Sequence, residues 1–130
     1  MSHPDTWYAY FHLRGSFNPA EITERVGITP TKSVTAGELG HSGRPVPCSR
    51  WELRSRLGDT EDLEAQVVDV LDQLDANRNG FIELSREFGG TMQLVGYFKE
   101  REPGVHFERE VILRIAEYGL CIDCDFYNRS

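Results

Sequence analysis

The stretch from Gly15 to Thr31, GSFNPAEITERVGITPT, carries a helix with both ends written into its residues, and it limits what the flanking segments can become. Asn18 is a suitable N-cap, because its side-chain oxygen accepts from a backbone N–H that the helix leaves unpaired. Glu21, three residues later, is placed to reach back to the cap, and Pro19 falls at the first helical position, where its missing donor costs nothing. Phe17 and Ile22 are spaced as a hydrophobic staple. Gly27 ends the helix by turning left-handed, Ile28 can fold back toward Ile22 or Thr23, and Pro30 blocks a restart. Before this helix, Trp7, Ala9, Phe11 and Leu13 alternate with Tyr8, Tyr10 and His12. That period of two predicts a strand with one buried face and one aromatic face.

The glycines, prolines and small polar residues from Lys32 to Pro47 predict a long mobile loop. Gly37, Gly40 and Gly43 recur in it every three residues, a spacing that is neither a dinucleotide fingerprint nor a Walker loop. Ser49 to Ser55 sets Trp51 and Leu53 against Arg50, Glu52 and Arg54, which predicts a second strand with a charged outer face. A longer helix follows, capped by Thr60, with Leu63, Val67, Val70, Leu71 and Leu74 on one face. Phe81, Leu84 and Phe88 predict a short third helix before Gly89-Gly90. Thr91 to Lys99 then reads as a strand, Pro103-Gly104 as a turn, and Glu108 to Tyr118 as a helix that Gly119 ends, with Leu120 to Tyr127 as the last strand.

The expected fold is therefore α+β, with a sheet of four or five strands, helices packed on it, and two similar strand–helix–strand halves. The 130 residues are expected to form a single domain, 1–130, large enough to bury a core without staples. No run reaches the roughly 18 apolar residues of a membrane span, and MSHPDTWYAY lacks the features of a secretion signal, so a soluble, cytoplasmic protein is expected. Three cysteines in that setting predict reduced thiols. The aromatic face of the first strand is left to be covered by a helix or by another copy of the chain in a homodimer.

Charge is concentrated. From Asp59 to Asn77 there are seven acids and no lysine or arginine, which equals the whole net charge of −7. A nucleic-acid partner is not expected, since that needs clustered Lys and Arg on one face. Two of the acids, Asp72 and Asp75, fall where the helix dipole is already negative.

Two metal patterns are incomplete. Asp75-Ala76-Asn77-Arg78-Asn79-Gly80-Phe81-Ile82-Glu83 places Asp75, Asn77, Asn79 and Glu83 at EF-hand ligand positions with Gly80 at the sixth. The twelfth position, which needs a bidentate glutamate, is Arg86. Cys121 and Cys124 form a C-x-x-C, but residues three apart in a strand point to opposite faces, so Cys124 reads as a core residue. Cys48 and His41 could complete a zinc set only by folding the loop over this strand. No metal and no cofactor are expected. For acid–base chemistry the candidates are His12, His41, His106, Asp123 and Asp125, of which Asp123 and Asp125 share one strand face. No catalytic residue is assigned.

These residues resemble a family of small bacterial proteins, the domain-of-unknown-function family numbered 4279. The resemblance rests on the first strand, Asn18-Pro19, Glu21-Ile22-Thr23, Gly27-Ile28, Pro30-Thr31, Gly37 and Trp51, and on the ending from Leu113 and Ala116 through Gly119 to Asp123, Asp125 and Tyr127. It implies a stand-alone bacterial domain without assigned activity, with relatives among suspected immunity proteins. The expected function is a non-enzymatic, immunity-like module that binds a basic protein through an acidic helix face, with Asp69, Asp72 and Asp75 as contact residues. The alternatives are an enzyme with a pocket under the 32–47 loop using His41 or Arg44, and a calcium-binding module at 75–83.

Overall fold

The structure, a computed structural model, describes residues 5–99 and 104–129. Five strands form one mixed sheet in the order β2-β3-β1-β4-β5. They are β1 (Thr6–Gly15), β2 (Lys32–Val34), β3 (Ser49–Arg54), β4 (Thr91–Phe98) and β5 (Cys121–Asn128). The helices are α1 (Pro19–Val26), α2 (Leu63–Leu74), α3 (Arg78–Phe88) and α4 (Arg109–Glu117), with a short 3-10 turn at Asp75–Asn77 joining α2 to α3. The expected α+β architecture is present.

β1 lies at the centre, antiparallel to both β3 and β4. Its register puts Phe11 opposite Leu53 on one side and Met92 on the other, so the apolar residues of three strands share one face. The period-two alternation in the sequence requires this, because a slip of one residue would send every apolar side chain to the wrong side. Strand–helix–strand does occur near each end of the chain, but the pairing differs. β1 and β3 are antiparallel neighbours, whereas β4 and β5 are parallel.

The core lies between that face and the helices. Ala9, Phe11, Leu13, Trp51, Leu53, Met92 and Leu94 meet Ile22, Val26, Val67, Val70, Leu71, Leu74, Phe81, Leu84, Val111, Ile115 and Tyr118. All five residues expected on the inner face of α2 are buried. Gly27 takes φ 72° and its N–H bonds the Thr23 carbonyl at 2.8 Å. Gly119 ends α4 in the same way at φ 71°, and Leu120 N bonds the Ile115 carbonyl.

Several local expectations are corrected. Asn18 caps α1 through Ala20 N at 3.0 Å, but the cap is closed by Glu21 N on the Asn18 backbone carbonyl rather than by the Glu21 side chain. Phe17 packs on Phe88, ring centres 4.9 Å apart. Asp62, not Thr60, caps α2, by accepting from Ala65 N. The Lys32–Pro47 segment is partly ordered. It begins with β2 and continues as a small hairpin in which Gly37 N bonds Val46 O and Val46 N bonds Glu38 O. Pro103 of the expected Pro103-Gly104 turn lies outside the described residues. Among the described residues no helix is long and apolar enough to cross a membrane.

Candidate functional site

Among the described residues no helix packs on the second face of the sheet. That face carries Tyr8, Tyr10, His12 and Arg14 from β1, with Arg50, Glu52 and Arg54 beside them on β3. Gln93, Val95 and Tyr97 flank the same row on β4, followed by Asp123, Asp125 and Tyr127 on β5. The aromatic rings form two stacks, Tyr8 on Tyr10 at 6.0 Å and Tyr97 on Tyr127 at 5.1 Å. Arg54 lies 3.9 Å above the Tyr8 ring, an arrangement in which the cation is drawn to the ring's negative face.

At the centre is a chain of side-chain hydrogen bonds. Gln93 Nε2 donates to Asp125 Oδ2 at 2.8 Å and to the Asp123 carbonyl at 3.4 Å, which turns Gln93 Oε1 toward His12 Nε2 at 3.3 Å. Only a protonated Nε2 can donate to that oxygen, so Nδ1 is the unprotonated nitrogen. It is buried without a partner, in a residue only 9% exposed. Burial pushes the His12 pKa down, against the pull of the Gln93 hydrogen bond, with Arg14 adding to the shift and Glu52 and Asp123 opposing it. The unfolded chain then takes up a proton near pH 6.5 that the folded chain refuses. Stability is therefore expected to be full above that pH and to fall as pH drops through it. Urea midpoints measured from neutral pH downward should show this fall, and His12→Gln should flatten it. An unchanged slope in the variant would refute the assignment.

Beside this row lies a concentration of cations. Arg14 and Arg50 are direct cross-strand partners, and like charges so placed repel. Arg50 reaches Glu52 only at 3.8 Å. Arg14, Lys32 and Arg44 meet no carboxylate among the described residues, whereas Arg25, Arg54, Arg56, Arg78 and Arg114 each hold one within 3.3 Å. A cleft of about 170 Å³ is lined by Tyr10, His12, Arg14, Arg50, Glu52, Gln93 and Asp125. Arg50 also borders a cavity of about 610 Å³ under the 38–47 hairpin, together with Lys32, Glu38, His41 and Arg44.

The three aspartates expected at a partner surface all have partners within the chain. Asp69 accepts from Arg56 Nε, Nη2 and backbone N, the closest at 2.7 Å. Burial alone would raise its pKa, but these bonds from Arg56 outweigh it and hold the carboxyl below its usual range. Arg114 bridges Asp72 at 2.9 Å and Asp75 at 2.8 Å, and the Tyr118 hydroxyl donates to Asp75. The 75–83 segment is helical rather than a ligand loop. Asn77 caps α3 by accepting from Gly80 N and donates to the Val26 carbonyl, while Glu83 pairs with Arg25. Among the described residues no group of three His, Cys, Asp or Glu is placed to hold a metal ion.

Cys121 and Cys124 point to opposite faces of β5, as expected, and all three cysteines are free. Cys124 is exposed rather than in the core, because among the described residues no helix reaches over β5. His106 is exposed and pairs only with Glu108. His41 and Arg44 do border the hairpin cavity. Sequence reasoning picked out the aromatic row, His12, Asp125 and the charged outer face that carries Arg50, but not Arg14, Gln93 or the pairing of Arg14 with Arg50. The signal available for Arg14 and Arg50 was a polar position on each of two alternating strands.

No curated protein and no solved structure matches the chain. One family model does, that of the Domain of unknown function (DUF4279), over residues 5–129. Nearly the whole chain is covered, from the residue before β1 to the residue after β5, and the chain belongs to the DUF4279 family.

Proposed function

We propose that this domain is a non-catalytic binding module whose ligand seats on the open face of the sheet through an anionic group. The observation that carries this reading is the set of cations that meet no carboxylate among the described residues, Arg14, Lys32 and Arg44, gathered around Arg50 in a chain of net charge −7. Two arginines set against each other repel unless something neutral or negative sits between them, and a carboxylate or phosphate does so with paired hydrogen bonds. Tyr10 and His12 supply an aromatic floor beside it. The test is thermal unfolding of the native protein with inorganic phosphate, pyrophosphate and small dicarboxylates, each compared with the double variant Arg14→Gln, Arg50→Gln. A ligand at about 100 times its Kd adds roughly 2.7 kcal/mol of stability, a clear rise in Tm. The native protein is expected to show this rise and the variant to lose it, while being no less stable without ligand. A rise that survives in the variant, or no rise with any anion, overturns the reading.

A second reading keeps a basic protein as partner and places the contact on the acidic surface of α2. It is favoured by the seven acids from Asp59 to Asn77. Asp72, 55% exposed at its side chain, is the best of the three aspartates to probe, because Asp69 is 12% exposed and held by Arg56. Loss of a retained basic protein on Asp72→Asn, with Tm unchanged, would support it.

A further inference from the structure

Arg50 lines three depressions on the open face at once. It borders the cleft of about 170 Å³ with Arg14 and His12, a hollow of about 290 Å³ with Tyr8, Tyr10 and Arg54, and the cavity of about 610 Å³ under the hairpin. The strand register explains why. Arg14 on β1, Arg50 on β3 and Val34 on β2 are successive cross-strand partners, so they form one row across three strands. With neighbouring strands about 4.8 Å apart, that row spans roughly 10 Å from Arg14 to the foot of the hairpin.

The two ends of the row differ in chemistry. At the β1 end the lining is cationic and polar. At the β2 end the cavity is walled by Val34, Leu39, Pro45, Val46 and Pro47, with Lys32, Arg44 and Arg50 beside them against a single acid, Glu38. Val34 and Val46 are half-buried, and Leu39 is 74% exposed, the highest value among the large apolar residues described. The hairpin is held in shape by its own backbone, through Gly37 N on Val46 O, Val46 N on Glu38 O and Gly40 N on Arg44 O. Ala36 N donates to the Ser49 hydroxyl at 2.9 Å, which ties the hairpin to β3. A bare inorganic anion on Arg14 and Arg50 would leave these apolar walls in water. An apolar group attached to the anion would cover them, with a gain that grows with the area removed from water. A concave apolar cavity with a few placed charges, of about 300–1,000 Å³, is the usual form of a small-molecule site.

We propose that the ligand is a small organic acid whose anionic head, a carboxylate or a phosphate, lies on Arg14 and Arg50, and whose apolar body runs along the row into the cavity under the hairpin, against Val34 and Val46. This rests on the anion-binding role proposed above and adds the body of the ligand and its seat. Lys32 and Arg44 raise the positive potential along the path that the head takes to Arg50.

Calorimetric titration at two temperatures tests this, with acetate, butyrate, hexanoate and octanoate as one series and methyl, butyl and hexyl phosphate as the other. In the native chain each added CH₂ is expected to tighten binding by roughly two- to fourfold, and the heat capacity of binding should become more negative along the series. Whichever head binds more tightly at equal body length identifies the acid. Val34→Ser and Val46→Ser, made singly, fall outside the core cluster. Each should flatten the dependence on chain length and leave the affinity for acetate and methyl phosphate unchanged, whereas Arg50→Gln should abolish binding of every member. Short and long acids that bind equally, a chain-length dependence that persists in both valine variants, or binding of inorganic phosphate or pyrophosphate alone would overturn the apolar seat and leave the anion site standing. Where a serine variant fails to fold, the native series decides, and a heat capacity that does not change with body length overturns the seat. No binding by any acid or inorganic anion overturns both.

Discussion

Replacing Trp51 with alanine is expected to cost about 3–5 kcal/mol of folding stability, measured as a lower urea midpoint with an unchanged slope. The indole is fully buried and touches three other elements. It meets Phe11 of β1 edge-on at 6.2 Å and lies tilted against Phe81 of α3 at 5.7 Å. Its Nε1 donates to the Thr23 hydroxyl of α1 at 3.0 Å. Alanine leaves a large void among groups held by three different elements, and such a site collapses poorly. Domains of this kind have about 5–15 kcal/mol in total, so the variant would sit close to its unfolding threshold. Trp51→Phe refills much of the volume and loses only the hydrogen bond, so it should cost markedly less. Equal losses for the two variants would show that filled volume is not what the indole contributes.

Gly96→Ala is expected to cost about 1–3 kcal/mol, through overpacking rather than loss of contacts. A Cβ on Gly96 would stand 2.3 Å from Trp7 Cζ3, 2.5 Å from Trp7 Cε3 and 3.2 Å from Phe126 Cδ1. The first two distances lie far inside van der Waals contact, so the indole must leave its place across β4. A double-mutant cycle separates this from a general weakness of alanine in the strand. With Trp7→Leu in the background the cost of Gly96→Ala should shrink, giving a coupling of about 0.5–3 kcal/mol. Additive losses would refute the steric account. The same displacement should shift the Trp7 fluorescence of the single variant.

What was legible in the sequence was what local chemistry decides. Asn18, Gly27 and Gly119 act within a turn of their own position, and the helices they bound are where they were expected. The alternation of β1 likewise fixes which residues face the core, whatever lies beside them. Pairing over long separations was not legible. Asp72 and Asp75 oppose the dipole of their own helix, and the reason is Arg114, about 40 residues away, which bridges the two carboxylates. Cys124 has the pattern of an inward strand residue, but burial depends on a covering helix, and α4 packs against α2 instead of lying over β5. β2 was missed because three residues are too few for a period, and its place is set by its pairing with β3. The juxtaposition of Arg14 with Arg50 follows from the β1–β3 register, which no single segment encodes.

The central position of β1 also has a consequence during synthesis. β1 leaves the ribosome before either of its neighbours, and β4 is not complete until Phe98. At about 5–20 residues per second, the roughly 80 residues between the end of β1 and the end of β4 take several seconds to appear. WYAYFHL presents two open edges until β3 is made and one open edge from then until β4 is complete. The nascent chain therefore has a window of exposure set by its strand order, during which a holding chaperone would raise the yield of folded protein.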